Sequence, residues 1–207
     1  MDSKIDKSTE QSILEVAERL FLEKGYALTS TTEIAKAVGC NQALVHYYFR
    51  TKENLFNTIF ENKFRSLFQQ IFNVNYSDDL PFLDKVRKMI EVHFDLLYEN
   101  PRIPALIMNE LSRQPDQLLI LKEKLHAIPE QLFEKLSNEL QVEIDAGRVR
   151  DINAVDLIVT VVSMNVALFT IFPIASKVLN FSEEQIKMLL YHRREENVNV
   201  VLGYLRP

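Results

Sequence analysis

Apolar side chains recur every three or four residues along almost the whole chain, which is the spacing of amphipathic helices. The first stripe begins near Ser8 or Thr9 and ends before Gly25, a residue that commonly terminates helices. Its apolar members are Ile13, Ala17, Leu20 and Phe21. Strand-like alternations of Val, Ile and Thr are few. The pattern predicts an all-α protein of about nine helices.

Two short helical patterns, separated by a glycine turn, follow Ser30. The segment Ser30-Thr31-Thr32-Glu33 has the form of a capping box and starts a helix that ends at Gly39. Asn41 can cap the next helix. The inward positions of that helix are predicted to be Leu44, Val45 and Phe49. Two helices of about two turns with a tight turn between them predict a helix-turn-helix.

Phenylalanine recurs every fourth residue in the next predicted helix, which Thr51 caps and which extends from Lys52 to about Phe72. The rings are those of Phe56, Phe60, Phe64, Phe68 and Phe72. Each step of four turns a side chain by about 40°, so the rings sweep roughly 160° around the axis. We expect the early rings to pack in the N-terminal domain and the later rings in a second core. One broad core face is the alternative.

The C-terminal half contains a helix that is apolar on almost all sides. Earlier patterns predict helices over 81–100, 103–112 and 114–145, the last with a kink or a restart at Pro129. The apolar helix then extends from Asp151 or Asn153 to about Phe172, and Ser182 caps a final helix.

Such an apolar helix needs cover on more than one side. The last two helices of each of two chains could provide it as a four-helix interface about a twofold axis, whereas the alternative is a central helix in a thick monomer. The predicted interface residues are Val161, Leu168, Ile186, Leu190, Val198 and Val201.

The charge balance restricts how the chain can meet nucleic acid. A net charge of −5 is the opposite of the basic balance of general nucleic-acid binders, so any DNA contact must be local. Between Lys36 and Lys52 the only charged side chains are those two and Arg50, all positive. The helix-turn-helix segment therefore has a positive local charge, although the chain as a whole is negatively charged.

The N-terminus and the single cysteine indicate a cellular location. The start is polar, and the apolar stretch over 152–174 is interrupted by Asp156, Asn165 and Pro173, so we expect no signal peptide and no membrane span. Cys40 cannot form an internal disulfide, and buried packing is more common for such a residue than redox sensing. We expect a cytoplasmic protein.

No arrangement of residues predicts catalysis. Glu123 and His126 have the spacing of a di-iron bundle pair, but His46, His93 and His192 lack a glutamate three positions before them. Nucleophile motifs, glycine-rich phosphate loops and CxxC pairs do not occur. We expect neither an enzyme nor a metal or other cofactor.

The stretch ILEVAERLFLEKGYALTSTTEIAKAVGCNQALVHYYFRTKENLF resembles the N-terminal pattern of tetracycline-repressor (TetR) type bacterial regulators. The shared order is F-x-x-K-G-Y, then T-T-x-x-I-A-x-x-x-G, then aromatic residues before F-[KR]-[ST]-K-E-x-L-F. The resemblance implies a helix-turn-helix domain over 1–51, followed by a larger helical effector-binding and dimerisation domain over 52–207. It implies a homodimeric repressor that binds a palindromic DNA operator. A small apolar or amphipathic ligand would release this repressor from the operator.

The resemblance also implies which side chains meet DNA. They are Thr31, Gln42, Ala43, His46, Tyr47, Tyr48 and Lys52, with Lys52 at a phosphate. Gln42 stands where the family usually has lysine and His46 where it usually has tyrosine, which leaves fewer cationic contacts. Protonation of His46 would strengthen a phosphate contact.

Large apolar and isolated polar side chains in the middle helices are the candidates to line an effector cavity. They are Phe64, Phe68, Met89, His93, Phe94, Met108, Met164, Asn165 and Phe169. Plain core packing is the alternative for about half of them. For the whole chain, the rival hypothesis is a helical small-molecule-binding or scaffold protein without a DNA function.

Overall fold

The computed structural model describes residues 2–75, 80–113 and 128–207. Within these ranges the chain forms nine helices and no strand, so the predicted all-α class is confirmed. The helices are α1 (Asp2–Lys24), α2 (Thr31–Val38), α3 (Gln42–Phe49), α4 (Lys52–Asn75), α5 (Phe82–Glu99), α6 (Ile103–Arg113), α7 (Ile128–Asp145), α8 (Ala154–Val178) and α9 (Glu183–Leu205).

Three helix bounds differ from the predictions. Helix α1 begins at Asp2, before the predicted start at Ser8 or Thr9. Helix α8 continues past Phe172 to Val178, because Pro173 removes a single helical N–H and the ladder continues after it. The predicted helix over 114–145 is helical from 128, and its part over 114–127 lies outside the described residues.

The chain divides into two compact units. The first comprises Met1–Arg65 with Leu106–Lys124, and the second comprises Ser66–Ala105 with Leu125–Pro207. The functional boundary predicted between residues 51 and 52 stays a prediction.

The first unit has its core between α1, α2, α3 and the start of α4. The predicted stripe of α1 is buried there, with Ile13 and Phe21 almost inaccessible to solvent. Phe56 on α4 packs against Phe21 and Tyr26, with ring centroids 5.4 and 4.8 Å apart. The first ring of the phenylalanine series therefore lies in the N-terminal core, as expected.

The second unit packs α5, α7, α8 and α9 around a second core. Two ion pairs join its helices, and Lys85 in one of them is buried. Lys85 Nζ on α5 lies 2.9 Å from Glu139 Oε1 on α7, and the Arg194 guanidinium on α9 donates two 2.7 Å hydrogen bonds to the Asp95 carboxylate on α5. Bidentate pairing of this kind aligns the two helices as well as stabilising them.

Candidate nucleic-acid interface

Side-chain caps begin α2 and α3, and a glycine forms the turn between the two helices. The Ser30 hydroxyl accepts the Glu33 N–H at 3.1 Å, and the Asn41 side chain accepts the Ala43 N–H at 2.9 Å. Gly39 has a φ of 79°, a left-handed value at which a side chain would be strained. Both predicted caps and the glycine turn are confirmed.

Glu33 has a second partner that the capping-box pattern does not include. The Lys24 ammonium at the end of α1 binds its carboxylate. That hydrogen bond is the largest of the effects that lower the pKa of Glu33, and the backbone N–H of Ser30 also contributes. The start of α2 is therefore tied to the end of α1.

Helix α3 presents one narrow edge to the core and the rest to solvent. Val45 is 1% exposed and Phe49 is buried beside it, one helical turn apart. Leu44 is 39% exposed, so its predicted inward position is wrong: it lies about 100° around the helix from Val45, beyond the buried edge. Tyr48 is partly buried, and its ring lies 5.3 Å from that of the exposed Tyr47.

Four residues on the exposed side are linked by hydrogen bonds. Gln42 Nε2 lies 3.2 Å from Thr31 Oγ1 and 3.3 Å from His46 Nε2. His46 Nδ1 in turn lies 3.0 Å from the carbonyl oxygen of Arg50, which ends α3 with a positive φ of 63°. The structure thus brings together three of the predicted DNA-binding side chains, together with the exposed Ala43 and Tyr47 of the same helix.

Lys52 has a role that the sequence did not indicate. Its Nζ donates to the carbonyl oxygens of Tyr26 and Thr29, both at 2.9 Å, and lies 4.2 Å from the centre of the Tyr26 ring. An ammonium has three N–H groups, so at most one remains for a phosphate. Lys52 therefore secures the loop between α1 and α2, and its contact with DNA stays a prediction.

The match to a known family falls on this unit. Residues 13–59 match the model of the bacterial regulatory proteins of the tetR family. Residues 13–59 therefore form a tetR-family domain. The chain is similar to the HTH-type transcriptional regulator AcrR of Shigella flexneri, with 44% identity over 55 residues, which are 27% of this chain and 26% of AcrR.

Longer similarities are weaker in identity. The nucleoid occlusion factor SlmA of Mannheimia succiniciproducens is 29% identical over 136 residues, which are 65% of this chain and 59% of SlmA. A tetR-family regulatory protein from Rhodococcus RHA1 has the same fold with a TM-score of 0.72, over 96% of this chain and 97% of that one, at 18% identity. The chain thus spans 26% and 59% of the two curated relatives.

Metal-binding geometry is missing from the part of the chain that the structure describes, where no three His, Cys, Asp or Glu side chains are grouped to hold an ion. Glu123 and His126 lie outside the described residues. Cys40 is a free thiol, partly buried against the core of the first unit.

In the second unit, Asn165 lies at the centre of a buried polar network. Its Nδ2 donates to the carbonyl oxygen of Ile90 at 3.2 Å and lies 3.1 Å from His93 Nδ1, while its Oδ1 accepts from Asn197 Nδ2 at 2.7 Å. Asn165 is 0% exposed. Its polar atoms join α5, α8 and α9, and its contact with an effector stays a prediction.

His93 is the titratable member of this network. Since Asn165 Nδ2 can only donate, His93 Nδ1 accepts and the proton of the neutral ring is on Nε2. Burial lowers the pKa of His93 to about 4. The ring is thus neutral near pH 7, with Nε2–H as its donor.

The other predicted effector residues have different environments. Phe94 and Phe169 are buried against each other in an edge-to-face pair with centroids 5.4 Å apart, and Met89 and Met164 are partly buried against the second core. Phe64 and Phe68 are also partly buried. Met108 lies exposed on the surface. Their contact with an effector stays a prediction.

Two of the predicted dimer residues are placed in the core of the subunit itself. Val198 and Val201 are 0% and 1% exposed, so they have no surface to offer a partner, and their assignment is corrected. The other four, which are partly buried, are Val161, Leu168, Ile186 and Leu190.

Helices α8 and α9 also have large apolar side chains that are exposed. Those on α8 are Val155, Val159, Val162, Ile171, Ile174 and Val178, and those on α9 are Met188, Tyr191, Val200 and Tyr204. Helix α8 is also the one described helix that is long and apolar enough to cross a membrane. We refer to these α8 and α9 residues as the apolar face.

Proposed function

We propose that this chain is a homodimeric transcriptional repressor of the cytoplasm, which binds a palindromic operator and is released by a small apolar or amphipathic ligand. The observation that carries the proposal is the TetR-family match over residues 13–59, together with the exposed, hydrogen-bonded side of α3. The family context supports the DNA function, and the structure supports the choice of side chains.

The exposed side of the helix-turn-helix has the chemistry that a major groove requires. Gln42 and Thr31 offer hydrogen-bonding atoms, and the Ala43 methyl group can contact the methyl group of thymine. Lys36 and Arg50 are exposed cations on either side of α3. Neutralisation of phosphate charge dominates DNA affinity, so a single protomer with so few cations would bind DNA weakly. Binding by two protomers would then be needed.

The apolar face supports the homodimer. Two helices of this unit have many large apolar side chains exposed, and such exposure is characteristic of an interaction surface. A second copy would cover the face about a twofold axis, with α8 and α9 of both chains forming a four-helix bundle. The two helix-turn-helix units would then bind half-sites separated by one turn of DNA or by a multiple of one turn.

His93 is the side chain that best supports an effector site in the second unit. Asn165 fixes its tautomer, so that its Nε2–H can donate to a carbonyl or carboxylate oxygen. The apolar surroundings that lower its pKa would suit the rest of an amphipathic ligand. A ligand that favours the conformation without DNA would shift the population and release the operator.

Selection of bound sequences from a random DNA library, at low salt with the full-length protein, tests the function. We expect an enriched palindrome for the wild type and a relaxed preference at one position of each half-site for Gln42→Ala. Gln11→Ala, which changes an equally exposed glutamine on α1, is the matched control and should select the wild-type sequence. If the folded wild-type protein enriches no sequence, the rival small-molecule-binding or scaffold function is favoured.

A further inference from the structure

We propose that His46 determines base preference indirectly, by fixing which atom of Gln42 faces the DNA. This inference rests on the proposed DNA-binding function and assigns a specificity-determining role within the same site. It starts from the hydrogen bonds that link Arg50, His46, Gln42 and Thr31.

The carbonyl oxygen of Arg50 determines the tautomer of His46. A carbonyl oxygen only accepts, so the Nδ1 atom that lies 3.0 Å from it must carry the proton. In the neutral ring, Nε2 is then unprotonated and acts as an acceptor. The end of α3 thus sets the hydrogen-bonding character of a side chain that faces solvent.

The His46 ring next determines the orientation of the Gln42 amide. Its Nε2 acceptor lies 3.3 Å from Gln42, so the amide must present its NH₂ group there. The reverse orientation would place the Gln42 oxygen against the Nε2 lone pair, which is two acceptors in contact. The second amide hydrogen points to Thr31 Oγ1 at 3.2 Å, and the hydroxyl accepts it.

Both amide hydrogens of Gln42 are therefore used within the domain, and Oε1 is left to meet the base edge. In the major groove, adenine N6 and cytosine N4 are donors, whereas guanine and thymine present only acceptors at the corresponding positions. An outward carbonyl oxygen thus favours adenine or cytosine. It also disfavours the two-bond contact of a free glutamine with adenine, which needs an amide hydrogen as well.

The first experiment is selection from a random DNA library with three proteins. The base position that Gln42→Ala flattens identifies the contact, and the wild type should prefer adenine or cytosine there by about tenfold. His46→Phe keeps a planar ring without the acceptor, so the amide can turn and the preference should fall to within about twofold. Gln11→Ala, on α1 and outside the predicted DNA-binding residues, is the control and should leave this position unchanged.

We call the hydrogen bonds from Arg50 through His46 to Gln42 the relay. Two results would contradict the relay and leave the DNA function intact. The first is a preference for guanine or thymine at the Gln42 position in the wild type, and the second is an unchanged base preference in His46→Phe. No enriched sequence for the wild type would instead remove the DNA function, and the relay with it. The two failures are therefore distinguishable.

The second experiment needs no DNA. Ring ¹⁵N chemical shifts at pH 8 report the tautomer of each histidine, and we expect Nδ1–H for His46. His93, whose Nδ1 accepts from Asn165, should show the opposite tautomer in the same spectrum. An Nε2–H tautomer for His46 would contradict the relay whatever the DNA result.

Discussion

The partly buried His93 allows a quantitative prediction about how stability depends on pH. Burial lowers its pKa from the ordinary 6.5 to about 4, because the charged ring loses its hydration. Between these values the unfolded chain binds a proton that the folded chain does not, so stability falls as the pH decreases through this window. His93→Asn removes the titration and keeps an acceptor for Asn165 Nδ2.

The magnitude follows from the two pKa values. Between pH 7 and pH 4.5, the linkage relation predicts that His93 removes about 2 kcal/mol from the free energy of unfolding. Most of this loss falls below pH 6.5, where the unfolded histidine is protonated. His93→Asn changes the baseline through its smaller volume, but that change does not depend on pH.

Urea unfolding followed by circular dichroism, at a series of pH values between 4.5 and 7, measures the effect. The protein concentration must be constant, since the stability of a dimer depends on it. We expect the difference between wild type and His93→Asn to change by about 2 kcal/mol across the series. Parallel curves for wild type and His93→Asn would refute the reasoning.

Two further predictions concern the helix-turn-helix unit and the apolar face. Lys52→Met should lower the free energy of unfolding by about 2 kcal/mol without DNA present, because two carbonyl oxygens lose a charged donor, whereas Lys36→Met should change it by less than about 0.5 kcal/mol in the same urea titration. Equal effects would contradict the internal role of Lys52. Val159→Glu should convert the dimer to monomer in analytical ultracentrifugation, because a carboxylate would be buried in the interface, while Val142→Glu on α7 should not. A monomeric wild type would contradict the proposed interface.

The sequence by itself determined the helices and their caps. Ser30, Asn41 and Ser182 each bond to a backbone N–H within three residues, and Gly39 supplies a local left-handed turn. Such features depend on a few neighbouring residues, so they can be predicted without the tertiary fold. The same locality explains why the helix-turn-helix could be assigned before its packing was known.

Only the tertiary structure decided the partners of the polar side chains. Asn165 meets His93 across 72 residues of sequence, and Lys52 meets Tyr26 across 26. Neither pairing can be predicted from neighbouring residues in the sequence, because the packing of separate helices brings the two partners together. His93 and Asn165 were thus singled out as polar residues among apolar ones, but their joint structural role was not predicted.

The tertiary structure also decided which side of an apolar helix faces inward. On α8 the apolar residues surround the axis, so the sequence contains no contrast between a buried and an exposed side. On α9, Val198 and Val201 satisfied the apolar spacing but lie in the core, whereas Val200 beside them is exposed. Burial at such positions depends on where α5 and α7 pack, and that packing is a property of the folded subunit.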